Sequence, residues 1–139
     1  MSSKPKKLMH DDTRFADMQF KEDLSSENAF KKMFVRYRPE LVTLNIPEVD
    51  VNKTGDRLSA EQFNEMLENE SDLVVVDMRN LYEFNVGRFR GAIPMKMANF
   101  KQLPNAVKEI EHLKDKKVVT YCTGGIRCEK ASAYLKHVG

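Results

Sequence analysis

The 139-residue sequence is poor in cysteine, glycine and proline, and it contains no tryptophan. Its two cysteines are too few for the disulfide framework of a small secreted domain, so we expect a protein of a reducing compartment. Six glycines and five prolines are also too few for a collagen-like or low-complexity chain. A hydrophobic content of 41% and a charged content of 32% instead favour a globular fold.

Long apolar runs and a strong net charge are absent as well. No stretch approaches the roughly 20 apolar residues of a transmembrane helix. The first seven residues are basic but lack the apolar core of a signal peptide. We therefore expect a cytoplasmic protein that does not associate with membranes. The formal net charge of +2 does not by itself indicate nucleic-acid binding, although a local basic patch could still bind RNA.

The most informative segment is the heptapeptide CTGGIRC at 122–128. It follows the apolar run 118–121 and leads into a helical pattern at 129–137. The unpaired backbone N–H groups of such a turn, together with Arg127, favour negative charge, and a thiolate is the reactive form of cysteine. We predict Cys122 as the catalytic nucleophile, and the anion- or sulfur-binding loop as Thr123, Gly124, Gly125, Ile126 and Arg127.

Helical and strand patterns alternate from Leu58 to the end of the chain. Ser59 and Gln62 have the spacing of a capping box, which predicts a helix over 60–68. The apolar run 73–76, rich in β-branched residues, is typical of a central parallel strand. Further strands are predicted at 92–93 and 117–121, and further helices at 80–84, 104–113 and 129–137. The alternation predicts an α/β fold with a parallel sheet flanked by helices, in which ligands bind beyond the carboxyl ends of the strands.

Two stretches together resemble a rhodanese domain. Residues 77–93, DMRNLYEFNVGRFRGAI, are similar to the family pattern D-x-R-x-x-x-E-[YF]-x-x-G-H-I-x-G-A, and the second stretch is the cysteine loop. Arg88 stands where that family usually has histidine. The resemblance implies transfer of sulfane sulfur from a donor such as thiosulfate to an acceptor, through a persulfide on Cys122.

A closer resemblance, covering roughly Phe30 to Gly139, is to the bacterial tRNA uridine hydroxylases. Residues 121–132, YCTGGIRCEKAS, are similar to the loop and helix of that family, and 35–43 and 46–50 resemble the segment before its rhodanese domain. This resemblance implies formation of 5-hydroxyuridine at the wobble position of tRNA, with molecular oxygen as co-substrate and Cys122 as an essential residue. No metal or organic cofactor is evident in the sequence.

Composition, local sequence signals and the same resemblance together imply a domain organisation. We expect a disordered tail at 1–12, a partial N-terminal α+β domain and linker at 13–57, and a rhodanese-like domain at 58–139. The last strand and helix of that domain are expected to be missing from this fragment. The resulting exposed sheet edge predicts an oligomer or an altered edge, and the oligomeric state itself is open.

Four further residues are predicted to support the site. Asp77 and Arg79 suggest a structural ion pair or loop brace, with a catalytic role as the alternative, and Glu83 a partner of such an arginine on the helix surface. Cys128 is predicted to pack in the core, with a resolving thiol that forms a disulfide with Cys122 as the alternative. The C-x5-C spacing does not favour zinc, and we predict no metal site.

Other functions remain open at the level of sequence. A general thiosulfate sulfurtransferase and a non-catalytic RNA- or protein-binding fragment are the main alternatives. A cysteine phosphatase is disfavoured, because Arg127 follows Cys122 by five residues and those enzymes need six. The segment 30–38 interleaves basic and aromatic residues, which suits either an RNA-contacting face or a solvated edge strand.

Overall fold

The computed structural model describes residues 4–18, 20, 26–27, 31–32 and 36–139. They belong to two compact units, one ending at Tyr37 and the other running from Arg38 to Gly139. Of the segment 30–38, for which an RNA-contacting face or an edge strand was predicted, residues 30 and 33–35 lie outside the described residues. None of the helices in the described part of the chain is long and apolar enough to cross a membrane.

The first unit contains helix α1, Lys4–His10, and a 3₁₀ turn, Thr13–Phe15, where a disordered tail was predicted for 1–12. Local contacts account for the difference. The His10 ring donates from Nδ1 to the Ala16 carbonyl at 3.0 Å, and its edge packs against the Phe20 ring. The Asp12 carboxylate caps the turn by accepting from the Arg14 backbone N–H at 3.0 Å. Disorder was predicted from the polar and charged composition of this segment. Composition does not show these contacts, because they depend on where individual side chains lie.

The second unit alternates helices and strands in the predicted order. Its first helix begins at Ser59, whose hydroxyl accepts from the Gln62 N–H while the Gln62 side chain accepts from the Ser59 N–H. The predicted capping box is therefore confirmed. The elements are α2 Ala60–Asn69, β1 Val74–Asp77, α3 Leu81–Val86, β2 Ile93–Pro94, α4 Leu103–Val107, a 3₁₀ helix Lys108–Leu113, β3 Val118–Tyr121 and α5 Ile126–Val138.

The three strands form a parallel sheet in the order β2-β1-β3, which confirms the predicted α/β architecture. The central strand β1 pairs Val76 with Ile93 on one side and with Thr120 on the other. In the same register, Asp77 lies opposite Tyr121. The carboxyl ends of β1 and β3 therefore meet, and Cys122 follows directly at that edge of the sheet.

Methionines fill much of the core. Met78, Met95 and Met97 are almost completely buried, as are Val76 and Leu103. Unbranched methionine side chains adapt to irregular gaps between a short sheet and short helices. These three methionines lie outside the helices and strands, so no helical or strand periodicity in the sequence indicates that they are buried.

Residues 38–57 belong to the second unit, although a linker was predicted within them. Leu44 and Val49 are buried in its core. The Lys130 ammonium on α5 donates to Glu40 Oε2 at 2.5 Å and to the Val42 carbonyl at 2.7 Å. These contacts span about 90 residues of sequence, so local patterns could not show them. The compact unit therefore starts at Arg38 rather than at Leu58.

Strand β3 is an edge of the sheet within residues 36–139. A groove of about 840 Å³ runs beside it, with Phe63, Met66, Val118 and Leu135 among its apolar walls. The edge agrees with the sequence-based expectation, while the oligomeric state stays a prediction.

Candidate active site

Cys122 lies where β3 ends, and the loop from Cys122 to Gly125 turns the chain into α5. Gly125 has φ of 86°, a left-handed conformation that glycine adopts without strain. Its N–H donates to Cys122 Sγ at 3.0 Å, and its carbonyl accepts from the Glu129 N–H at 2.9 Å, one turn into the helix. The half-buried sulfur thus sits at the N-terminus of α5, where backbone donors favour an anion.

These donors lower the pKa of the Cys122 thiol to about 5. The largest contribution is a hydrogen bond from the Cys128 thiol, and the backbone N–H groups of Cys128, Gly124 and Gly125 add to it against the opposing effect of burial. The same thiol–thiol contact, together with burial, raises the pKa of Cys128. Cys122 is therefore a thiolate at neutral pH, and Cys128 keeps its proton.

An ion pair between Arg127 and Glu83 connects the cysteine loop to α3. The guanidinium pairs with both carboxylate oxygens, from Nη1 to Oε2 at 2.6 Å and from Nη2 to Oε1 at 2.9 Å. Thr123 bridges them, since its hydroxyl accepts from Arg127 Nη2 at 3.0 Å and donates to Glu83 Oε1 at 3.2 Å. The ion pair with Arg127 lowers the pKa of Glu83 to about 2. The guanidinium also interacts electrostatically with the Cys122 thiolate.

The predicted partner of Glu83 is therefore corrected. Helical spacing suggested Arg79, but that side chain donates to Asp77 and to the Gly87 carbonyl. Arg127 lies 44 residues from Glu83 in sequence, so the fold rather than the local spacing selects this pair. Direct binding of an anion by Arg127 stays a prediction.

A second brace lies beneath the loop. The Asp77 carboxylate is fully buried and accepts from Arg79 Nε at 2.9 Å and from Arg79 Nη2 at 2.6 Å. The Tyr121 hydroxyl donates to its Oδ2 at 2.5 Å. The structure thus forms the Asp77–Arg79 ion pair that the sequence suggested. Tyr121 was missed, because its contact with Asp77 depends on the register between β1 and β3.

An open cleft of about 410 Å³ leads to the sulfur. Phe89 is 44% exposed. Its ring is nearly perpendicular to the Tyr121 ring, and the two ring centroids are 4.8 Å apart. The Arg88 guanidinium carbon lies 4.6 Å from the centroid of the Phe84 ring. Because arginine replaces the histidine of the family pattern at this position, a cation lines the cleft. The cleft is lined by Arg79, Gly87, Arg88, Phe89, Tyr121, Cys122 and Thr123. Flat aromatic and cationic walls beside a thiolate suit a planar ring or a small anion.

No group of three or more histidine, cysteine, aspartate or glutamate side chains is placed to hold a metal ion among the residues that the structure describes.

The Cys122 thiolate thus lies at the carboxyl edge of a parallel sheet, in a glycine-containing loop at a helix N-terminus, and its catalytic role stays a prediction. The sequence profile of the rhodanese-like domain matches residues 59–139, and the chain belongs to this family.

Known proteins similar to this chain carry the name tRNA uridine(34) hydroxylase. One from Listeria welshimeri is 52% identical over 135 residues, which is 94% of this chain and 42% of the relative. One from Staphylococcus aureus has the same identity and coverage. One from Cytophaga hutchinsonii is 46% identical over 129 residues, covering 92% of this chain and 41% of the relative. The chain thus spans about two fifths of the length of these relatives.

The low pKa of Cys122 predicts an unusual pH profile of alkylation. The rate of iodoacetamide modification at Cys122 should stay nearly constant from pH 8 to pH 6 and fall to half near pH 5, because only the thiolate reacts. Peptide mass spectrometry at each pH separates Cys122 from Cys128, which should react far more slowly. Cys128→Ala, which removes the largest donor, should move the midpoint to higher pH. A midpoint above pH 8 in the parent chain would contradict the assignment.

Proposed function

We propose that this chain is the cysteine-bearing portion of a tRNA uridine hydroxylase, which converts uridine 34 to 5-hydroxyuridine with molecular oxygen as co-substrate. The observation that carries the proposal is the Cys122 thiolate at the end of an open, flat-walled cleft. The name of the similar proteins, tRNA uridine(34) hydroxylase, supports the choice of tRNA and of uridine 34.

The cleft suits an unstacked pyrimidine. RNA-binding proteins commonly hold single-stranded bases on aromatic side chains and on arginine guanidinium planes. Phe89 offers an exposed ring and Arg88 an exposed cation at the rim, so a base could stack while its phosphate meets the guanidinium. The Asp77 carboxylate is buried, and the Glu83 carboxylate is paired with Arg127. Neither carboxylate should therefore repel an incoming phosphate strongly.

The chemistry requires activation of uracil at C5. Addition of the Cys122 thiolate to C6 forms an S–C6 bond and moves the π electron pair to C5. The carbanionic C5 then adds oxygen to form a C5 hydroperoxide, and a two-electron reductant must cleave its O–O bond so that the second oxygen atom leaves as water. Loss of the C5 proton expels the sulfur and restores the C5–C6 double bond. The N–H groups around Cys122 stabilise the thiolate both before addition and after expulsion.

The test is an isotope experiment with the chain itself. A tRNA transcript with uridine 34 is incubated with the chain under ¹⁸O₂, and its nucleosides are analysed by mass spectrometry. One ¹⁸O atom in 5-hydroxyuridine is expected, and the same tRNA with cytidine 34, or under argon, should give no product. Absence of product from a sample that is folded by circular dichroism contradicts the proposal for this chain.

Sulfur transfer is the second candidate function. The donors around Cys122 Sγ would stabilise a persulfide anion as well as a thiolate, and the cleft admits a small anion such as thiosulfate. The same sulfur is the reactive atom in both candidates, so they differ in substrate and not in nucleophile.

A further inference from the structure

A second thiol lies directly against the reactive one. Cys128 is the third residue of α5, and both cysteines are half-buried and pack against the hydrophobic core. The Cys128 thiol donates a hydrogen bond to Cys122, and the Thr120 side chain hydrogen-bonds to Cys128 in turn. The two thiols are therefore in hydrogen-bonding contact before any reaction occurs.

The two thiols face different openings. Cys122 lines both the cleft and the larger groove along β3, whereas Cys128 lines the groove but not the cleft. A substrate in the cleft therefore meets Cys122 first, with Cys128 behind it. This is the arrangement of a nucleophilic thiol and a resolving thiol.

Hydroxylation by oxygen consumes two electrons from a reductant, and a single thiolate that supplies them is left as a sulfenic acid. One oxygen atom enters uracil, and the other must be reduced to water with two electrons and two protons. Oxidation of two thiols to a disulfide releases two electrons and two protons. The pair in this site therefore matches the requirement, on the condition that the proposed function is correct.

We propose that Cys122 and Cys128 are the electron donors of the reaction and end each turnover as a disulfide. Oxygen adds to the carbanionic C5 and, after the sulfur leaves, gives a C5 hydroperoxide. The freed Cys122 thiolate attacks the outer oxygen, the O–O bond breaks, and the products are 5-hydroxyuridine and a sulfenic acid on Cys122. The Cys128 thiol then attacks that sulfur, an S–S bond forms, and water leaves.

The sum of these steps balances. Uracil C5–H, O₂ and two thiols give C5–OH, one disulfide and one water. An external dithiol then reduces the disulfide for the next turnover. Cys128 keeps its proton and is therefore a poor nucleophile toward the substrate. It reacts only after Cys122 is oxidised, when the neighbouring sulfur has become electrophilic.

The first arm of the test uses hydrogen peroxide and needs no tRNA. The parent chain should lose the mass of two hydrogen atoms, with Cys122 linked to Cys128 in the peptide map, and dithiothreitol should reverse the change. Cys128→Ser should instead gain oxygen atoms on Cys122. Serine keeps a hydroxyl that can donate to the thiolate, so the alkylation profile of Cys122 checks that its ionisation is retained. Parent chain that only gains oxygen, with no disulfide, overturns the inference.

The second arm measures a single turnover on tRNA. Reduced chain freed of reductant should give one 5-hydroxyuridine for each disulfide formed, while Cys128→Ser should give at most one product per chain and end with a sulfenic acid on Cys122 that dimedone traps. Parent chain that gives product while both thiols stay reduced, or that ends as a sulfenic acid on Cys122 with no disulfide, overturns the inference and leaves the proposed function intact. No product from the parent even with dithiothreitol contradicts the proposed function, and with it the role of the pair as electron donor.

Discussion

Asp77→Ala is expected to lower the free energy of unfolding by about 3–5 kcal/mol, because it removes one partner of a buried ion pair and leaves the other uncompensated. The Asp77 side chain is fully buried and that of Arg79 is 18% exposed. The variant would strand the Arg79 guanidinium and also the Tyr121 hydroxyl, both of which donate to the carboxylate. Urea denaturation followed by circular dichroism measures the effect, provided that the denaturant dependence is unchanged.

Tyr121→Phe is the matched control for this brace. It removes a single hydrogen bond to a charged group and leaves the bonds from Arg79 in place, so we expect a loss of about 1.5–3 kcal/mol. If Asp77→Ala costs no more than Tyr121→Phe, the ion pair contributes little and the assignment of a structural brace fails.

The Asp77 carboxylate should also contribute to the decrease in the free energy of unfolding at acidic pH. Burial alone would raise the pKa of Asp77, but the hydrogen bonds from Arg79 and Tyr121 outweigh it and hold the pKa below its ordinary value. The stabilisation is therefore present above the pKa of the unfolded state and is lost as the pH falls through the lower pKa of the folded state. Asp77→Ala should accordingly reduce the loss of stability between neutral and strongly acidic pH.

Features encoded by neighbouring residues could be predicted from the sequence. The capping box at Ser59 and Gln62 and the β-branched run that forms β1 are local signals, and the structure contains both. The cysteine loop is equally local, because a strand, two glycines and a helix start follow one another within a few residues. The parallel sheet could be inferred because alternation leaves few other topologies.

Features that depend on pairing across the fold could not be predicted in this way. The contacts of Glu83 with Arg127 and of Asp77 with Tyr121 each join residues 44 positions apart. Whether Asp77 meets Tyr121 depends on the register of β1 and β3, and a shift by one residue would turn the tyrosine to the other face. The packing of 38–57 on α5 has the same origin, since Glu40 finds its partner in Lys130.

Cys122→Ser is expected to abolish sulfur loading from thiosulfate. In the parent chain the thiolate attacks the outer sulfur of thiosulfate, an S–S bond forms, and sulfite leaves, so the intact mass should rise by one sulfur atom. Cyanide should remove that atom as thiocyanate. A serine hydroxyl is not ionised at neutral pH and forms no persulfide, so the variant should show no gain in mass.

Cys128→Ser is the matched control, because it keeps Cys122 and a donor beside it. This variant should still load one sulfur atom, since persulfide formation needs no second thiol. Sulfur gained by Cys122→Ser would place the reactive thiol at Cys128 and contradict the site. Loading by the parent with rapid, repeated release to cyanide would favour the sulfurtransferase. Slow loading beside efficient, ¹⁸O-labelled hydroxylation of tRNA would instead make the persulfide a side reaction of a thiolate whose substrate is uridine.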